Sequence, residues 1–254
     1  MVESKVVVDI CRQGKRIVFC LDADLFLVLH LMISGRLRWL DIDRKPPGRI
    51  TLAVLEFENG SLAITEAGTK KRASLVLLRG PEALGAGDPG GMEPLSADLA
   101  EFAEALRQEN RTLKRALTDP RLFAGIGNAY SDEILHAAGL SPVARTKTLS
   151  DDAVRRLHEA TRQVLGDWTL RLRRQFAGRF PGVGEITAFR EGFAAHGRFG
   201  KPCPRCGVKI QRIRYAENET NYCPGCQTEG RILADRSLSR LLRDDWPRSV
   251  EELG

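Results

Sequence analysis

Cys203-Pro-Arg-Cys-Gly-Val-Lys-Ile-Gln-Arg-Ile-Arg-Tyr-Ala-Glu-Asn-Glu-Thr-Asn-Tyr-Cys-Pro-Gly-Cys226 holds two Cys-x-x-Cys pairs with sixteen residues between them. Each pair can turn two sulfurs toward one point, and two pairs complete a tetrahedral thiolate shell for a zinc ion. Cys203, Cys206, Cys223 and Cys226 are therefore the candidate ligands of one structural Zn2+. Gly207 suits the tight knuckle after the second Cys. Val208 to Tyr215 alternates apolar and polar residues as a strand does, and Glu217 to Thr220 is polar enough to be a hairpin tip. The stretch reads as a zinc-stapled β-hairpin. Two disulfides are the alternative, which the lack of a secretory signal in this sequence disfavours. Lys201, Arg205, Lys209, Arg212 and Arg214 would give such a hairpin a cationic surface suited to a polyanion.

Outward from the hairpin, the 254 residues can build one large domain or two small ones, and 43% hydrophobic content supports a core. Lys plus Arg exceed Asp plus Glu by six (39 against 33), which favours a nucleic-acid partner over an acidic one. No apolar run approaches the roughly 20 residues of a membrane span, so the expectation is a cytoplasmic monomer with no membrane contact. Cys11 and Cys20, far from the cysteine pairs, are expected to be small buried hydrophobes.

The front of the chain reads as strands: Lys5–Ile10, Arg16–Leu21, Leu25–Leu31, Ile50–Phe57, Ser61–Thr65 and Ala73–Leu78. Asp22-Ala-Asp24 suits one turn and Asn59-Gly60 another. Residues 80 to 95 are rich in Gly and Pro and read as a linker. Helices follow: Ala97–Glu109 capped by Ser96, one from Thr112 through Leu117, Ala129–Ala138, and a long one from 151 to about 175 capped by Ser150. In the last, Val154, Leu157, Val164, Leu165 and Trp168 form the apolar stripe. Residues 178 to 202 look irregular, and Leu233–Trp246 looks like a further helix carrying Arg236, Arg240 and Arg243. The fold class is α+β. A partial antiparallel β-sandwich (1–79) and linker (80–95) precede a helical domain (96–200), the zinc hairpin (201–227) and an extension (228–254).

Three stretches, in this order, resemble the formamidopyrimidine-DNA glycosylase / endonuclease VIII family of base-excision repair enzymes. They are Gly14-Lys-Arg16 leading to His30-Leu-Met-Ile-Ser-Gly-Arg-Leu37, Thr112-Leu-Lys-Arg-Ala-Leu-Thr-Asp-Pro120 with Gly125-Ile-Gly-Asn-Ala-Tyr-Ser-Asp-Glu133, and His196 through Gln227. The resemblance implies a helix–two-turn–helix element in which Lys114 and Asn128 contact phosphates of double-stranded, damaged DNA and Glu133 orients the motif. Gly125 and Gly127 would let backbone come close to an anion at a helix start. It also implies that Lys15 is a candidate proton shuttle, that Ile33 fills the gap left by a flipped base, that Lys70, Lys71 and Arg72 form a cationic loop, and that residues 178 to 195 hold the loop over the base. Arg212 and Asn218 would touch DNA from the hairpin. The family's catalytic amine is an N-terminal proline in a Pro-Glu pair, whereas this sequence starts Met-Val-Glu, with Lys15 some forty-odd residues early, as a shortened member would. Asn218 stands where many members carry an arginine. Two functions follow as expectations: a glycosylase and abasic-site lyase for oxidised bases, or a non-catalytic, zinc-dependent DNA-binding protein.

Overall fold

The computed structural model describes residues 2–187, 189–215, 218–235 and 247–253. They form two compact units, residues 1–89 with 173–187, and 90–172 with 188–254.

Seven strands build the first unit. β1 (Val7–Gln13), β2 (Arg16–Leu21), β3 (Leu25–His30) and β7 (Ser74–Arg79) form one antiparallel sheet in the order β1-β2-β3-β7. β4 (Gly35–Leu40), β6 (Gly60–Glu66) and β5 (Thr51–Phe57) form the other. Period-two alternation puts Phe19, Leu21, Leu25, Leu27 and Leu29 on one face, where they pack with Leu62 and Ile64 of β6. Ile17 pairs with Leu29 and Phe19 with Leu27, so a one-residue slip would turn the whole apolar set outward. Burying each large side chain here contributes about 1.5–3 kcal/mol. Cys11 and Cys20 lie on the opposite face; Cys11 is exposed and Cys20 half-buried, with their sulfurs 3.8 Å apart. The expectation that both are buried is corrected: β1 is an edge strand, so nothing in its sheet covers Cys11 on one side.

β4 starts abruptly at Gly35, after a tight turn. A Cβ at Gly35 would lie 2.3 Å from the Leu31 carbonyl oxygen. The β5–β6 turn also differs from its expected place. Phe57 pairs with Gly60, so Glu58-Asn59 form the loop. Gly60, at φ 150°, lies under Trp39, with no room for a Cβ.

The 80–95 segment is not a plain linker. Pro81–Ala86 form α1, and Met92 is tied by hydrogen bonds to the Leu122 carbonyl and the Ala124 N–H. The second unit packs α2 (Leu99–Arg107), α3 (Leu113–Thr118), α4 (Asn128–Ala138) and α5 (Asp151–Gln175) around Phe102, Leu106, Leu113, Leu117, Phe123 and Leu157. The cap of α2 is Asp98, not Ser96. Asp98 and Glu101 exchange the two bonds of a capping box, both 2.9 Å. Val154 and Leu157 are buried as the α5 stripe predicts, while Trp168 instead packs edge-on against Tyr130 and Phe193. α5 ends at Gln175, and residues 173–187 belong with the first unit rather than with the helices.

β8 (Gln211–Tyr215) and β9 (Asn218–Tyr222) make the hairpin, followed by α6 (Pro224–Gln227). Asn218-Glu-Thr220, expected at the tip, is strand: Asn218 pairs with Tyr215 and Thr220 with Ile213. Beyond it, Ile232 N–H donates to Arg248 O (2.9 Å), and Leu233 N–H donates to the Tyr222 hydroxyl (2.8 Å). Residues 232–235 are not helical, and the rest of the expected 233–246 helix, with Arg236, Arg240 and Arg243, lies outside the described residues.

Candidate nucleic-acid interface and metal centre

The Gly125–Asn128 loop meets the start of α4 as the sequence predicts. Gly125 takes φ 79°, closed to most side chains, and Gly127 is extended before the first helical residue. Lys114, from α3, reaches this helix start. Its Nζ donates to the Asn128 carbonyl oxygen at 2.7 Å and to Asp132 Oδ1 at 2.5 Å. The side chain is 13% exposed, and burial lowers its pKa against the opposing pull of Asp132. Asn128 turns its amide to the hairpin, donating to the Glu219 carbonyl oxygen at 3.0 Å.

Asp132 is fully buried and joins four elements of the second unit. It accepts from Lys114, from His196 Nδ1 (2.7 Å) and from the Asn221 backbone N–H (3.1 Å). Glu133 accepts three backbone N–H groups, from Ala194 (2.7 Å), Ala195 (2.9 Å) and His196 (2.8 Å). Its role is to hold the 194–196 loop against the helix. Removing one partner of the buried Lys114–Asp132 pair costs about 3–5 kcal/mol, because the other charge is left desolvated. Asp132 lies inside the Gly125–Glu133 motif, but its role is not legible there, because its partners lie 18 to 89 residues away.

On the hairpin, Cys203 N–H bonds to the Val208 carbonyl (2.9 Å), and Gly207, at φ 78°, closes the knuckle. Sulfur separations are 3.9 Å for Cys203–Cys226 and 3.3 Å for Cys206–Cys223. Backbone N–H groups of Arg205 and Cys226 point at the Cys203 and Cys223 sulfurs, both at 3.4 Å. Burial pushes the Cys226 thiol up to about 11 and raises Cys223 further. Neutral thiols would gain little from this geometry. A bound dication converts them to thiolates and uses the donors aimed at them, so the residues fit a zinc ion. His136, not foreseen, stands beside the cluster with Nε2 3.2 Å from Cys203 Sγ.

Arg212 and Arg214 are less free than their sequence suggests. Arg212 bonds Glu219 at 3.2 Å and lies 4.1 Å over the Phe199 ring; Arg214 bonds the same carboxylate at 3.2 Å. Asn218 is exposed at the start of β9.

In the first unit, Lys15 and Gly14 form the turn between β1 and β2. The residue is exposed overall, yet the neighbours around its ammonium desolvate it and lower its pKa. His30 lies near, and burial, then Arg16 and Lys15, lower its pKa in turn. Ile33 protrudes from the Leu31–Gly35 turn at 73% exposure, behind Met32 at φ 53°. Glu66, buried at the end of β6, ties this turn to the cationic loop. It accepts from Ser34 Oγ (2.8 Å), Arg72 N–H (2.8 Å) and Ala73 N–H (3.1 Å). The Ala73 N–H foremost, then the Ser34 hydroxyl, hold its carboxyl below the usual range against the cost of burial. Lys71 folds back onto the Glu66 carbonyl oxygen, while Lys70 is exposed. Residues 180–184 and Ile186 wall a cavity of about 280 Å³ with Leu31, Leu37, Arg36 and Arg38. The expected base-covering segment, 178–195, thus divides: its first part belongs to this unit, its last to the helical one.

Three family models match. They are the formamidopyrimidine-DNA glycosylase N-terminal domain over residues 1–70, the formamidopyrimidine-DNA glycosylase H2TH domain over 91–170, and a zinc finger found in FPG and IleRS over 200–228. A formamidopyrimidine-DNA glycosylase of Heliobacterium modesticaldum is 34% identical over 227 residues, covering 87% of this chain and 82% of its own. A formamidopyrimidine-DNA glycosylase-like protein of Mycobacterium tuberculosis is 42% identical over 153 residues, 60% of this chain and 94% of its own. Among solved structures, Lactococcus lactis Fpg in complex with DNA containing an abasic site superposes with a TM-score of 0.77 at 28% identity, over 88% of this chain and 83% of that one. The cysteine cluster and the zinc-finger match together make this a zinc-binding site.

Proposed function

Because the chain belongs to the formamidopyrimidine-DNA glycosylase family, we propose that it grips damaged double-stranded DNA and removes oxidised bases from it. It does so as a monomer in the cytoplasm, with one structural zinc ion. The observation that carries this reading is the tie between α3, α4 and β9 through Lys114, Asn128 and Asp132. A surface that binds phosphates must keep its donors in register against strong, salt-dependent forces. Here one buried carboxylate fixes the helix start and the hairpin together. A flipped base leaves a gap in the stack, and an exposed apolar side chain at a turn tip, as Ile33 is, suits that gap.

Lys15 is the candidate proton shuttle. Its lowered pKa enlarges the fraction of neutral amine at neutral pH, which proton transfer and imine formation at a sugar carbon both need. The test is borohydride trapping on duplex DNA holding an abasic site or 8-oxoguanine, with base release measured alongside. A covalent adduct that Lys15→Ala abolishes supports lysine chemistry. Tight binding to the damaged duplex with no adduct and no base release would reject the enzyme and leave zinc-dependent recognition of damaged DNA. That second reading has support in the hairpin: Arg212 and Arg214 are matched by Glu219, and the exposed Asn218 carries no charge.

A further inference from the structure

We infer that His136 belongs to the metal centre as a positioning residue, donating an Nε2–H hydrogen bond to the Cys203 thiolate. The helix that presents Asn128 then also supports the zinc ion. His136 is 4% exposed and 67 residues from Cys203 in sequence, with Nε2 3.2 Å from its sulfur. Its ligand atom and those of Cys203, Cys223 and Cys226 all lie within 4.8 Å of one another. Cys206 Sγ lies 3.3 Å from Cys223 Sγ and Cys203 Sγ 3.9 Å from Cys226 Sγ, so the two Cys-x-x-Cys pairs bring their sulfurs together. Four thiolates therefore close the shell without the imidazole, and His136 meets that shell from outside.

Charge explains why a donor belongs there. Four thiolates around a dication leave two net negative charges in a site whose Cys203 and Cys223 are buried. Such a site is stabilised by N–H groups aimed at its sulfurs, and imidazoles and amides around a metal are typically part of it. Cys203 receives the Arg205 backbone N–H at 3.4 Å, and the imidazole supplies a second donor. Helix geometry explains why the donor comes from α4. Asn128, Asp132 and His136 are spaced i, i+4, i+8 and share one stripe. Each meets the hairpin at a successive level: the Glu219 carbonyl, the Asn221 N–H and the Cys203 sulfur. One helix face is thus complementary to the metal-bearing element along its whole length.

The test uses the full zinc-loaded chain and two variants. His136→Phe keeps a ring and removes the donor; His136→Gln returns an N–H at similar reach. Zinc affinity, read by competition with a chromophoric chelator, is expected to fall about 10–100-fold in His136→Phe and to recover largely in His136→Gln. Unchanged affinity in a folded His136→Phe overturns the inference. Should that variant not fold, the wild-type chain decides. With an NMR-active cadmium isotope in place of zinc, the His136 ring should carry its proton on Nε2, with coupling to cadmium through the N–H···S bond. A ring protonated only on Nδ1, or nitrogen coupled directly to cadmium as a ligand, overturns the donor role.

Discussion

The two units treat their DNA-facing candidates in opposite ways. In the helical unit Lys114, Asn128 and Arg212 spend their polar groups on partners in the protein: Asp132, the Glu219 carbonyl and the Glu219 carboxylate. In the β unit Ile33 and Lys70 stand exposed on turns, and what is buried is the carboxylate beneath them, Glu66. The first arrangement builds a rigid cradle whose donors are already oriented. The second keeps its tips open and fixes only their bases. A cradle of this kind loses stability when its polar residues are changed, whereas open tips lose recognition and leave stability nearly intact.

The largest break in that contrast should come from the metal. Cys223→Ser is expected to release zinc and unfold the hairpin, because ligation and folding are coupled in such small elements. Metal analysis together with circular dichroism checks it; full zinc content in the folded variant would remove Cys223 from the site. Next in size is Asp132→Ala, which leaves the Lys114 ammonium buried without its anion. A loss of about 3–5 kcal/mol is expected, seen as a lower urea midpoint. A change below about 1 kcal/mol would mean that solvent reaches Lys114 far better than its 13% exposure allows.

Lys114→Ala separates grip from scaffold. A free phosphate-binding lysine would lower the salt slope of DNA binding by about one unit. Lys114 is already paired with Asp132, so fewer counterions leave when DNA arrives, and a fall clearly below one unit is expected, together with reduced stability. A full unit of slope at unchanged stability would show that Lys114 leaves Asp132 for the phosphate.

What could be read in the sequence follows from the range of the interactions. The cysteine pairs, the Gly125–Asn128 turn and α5 are encoded within a few residues by spacing, glycine and period, and they were legible. Asp98 replaced Ser96 as the cap of α2 because the capping box needs Glu101 three residues on, a signal that was present in the sequence. Glu66, Asp132 and His136 drew no attention because their meaning lies in partners brought near by folding, and a single acidic residue or histidine in an apolar pattern does not announce them. Cys11 and Cys20 failed for a related reason. Apolar character predicted burial, but Cys11 sits on the edge strand β1 and is exposed, while Cys20, beside it on β2, is half-buried.

The smallest stability effect is expected in the β unit, at Ile33→Ala. With the side chain 73% exposed, little apolar contact is lost and the unfolding midpoint should hardly move. Affinity for undamaged duplex should be nearly unchanged as well, since that binding comes mainly from phosphates. The expected loss is in the ratio of damaged to undamaged binding, because only an extruded base leaves a gap for Ile33 to fill. Glu66→Gln sharpens the point from below the turn. The amide in that variant offers one acceptor oxygen where the carboxylate offers two to its three donors, so the 32–34 and 70–72 turns should loosen, with faster amide exchange at Arg72 and Ala73. The Glu66 carboxyl is held below its usual range, so its bonds are present above the ordinary carboxylate pKa and disappear as pH falls through the lowered value. Wild type in acid should then approach the glutamine variant at neutral pH. If Ile33→Ala and Glu66→Gln reduce damage discrimination alike while DNA affinity stays put, the open tips read the lesion and the cradle only holds the strand. If both instead weaken all binding equally, the tips are part of the grip and the division between the two units fails.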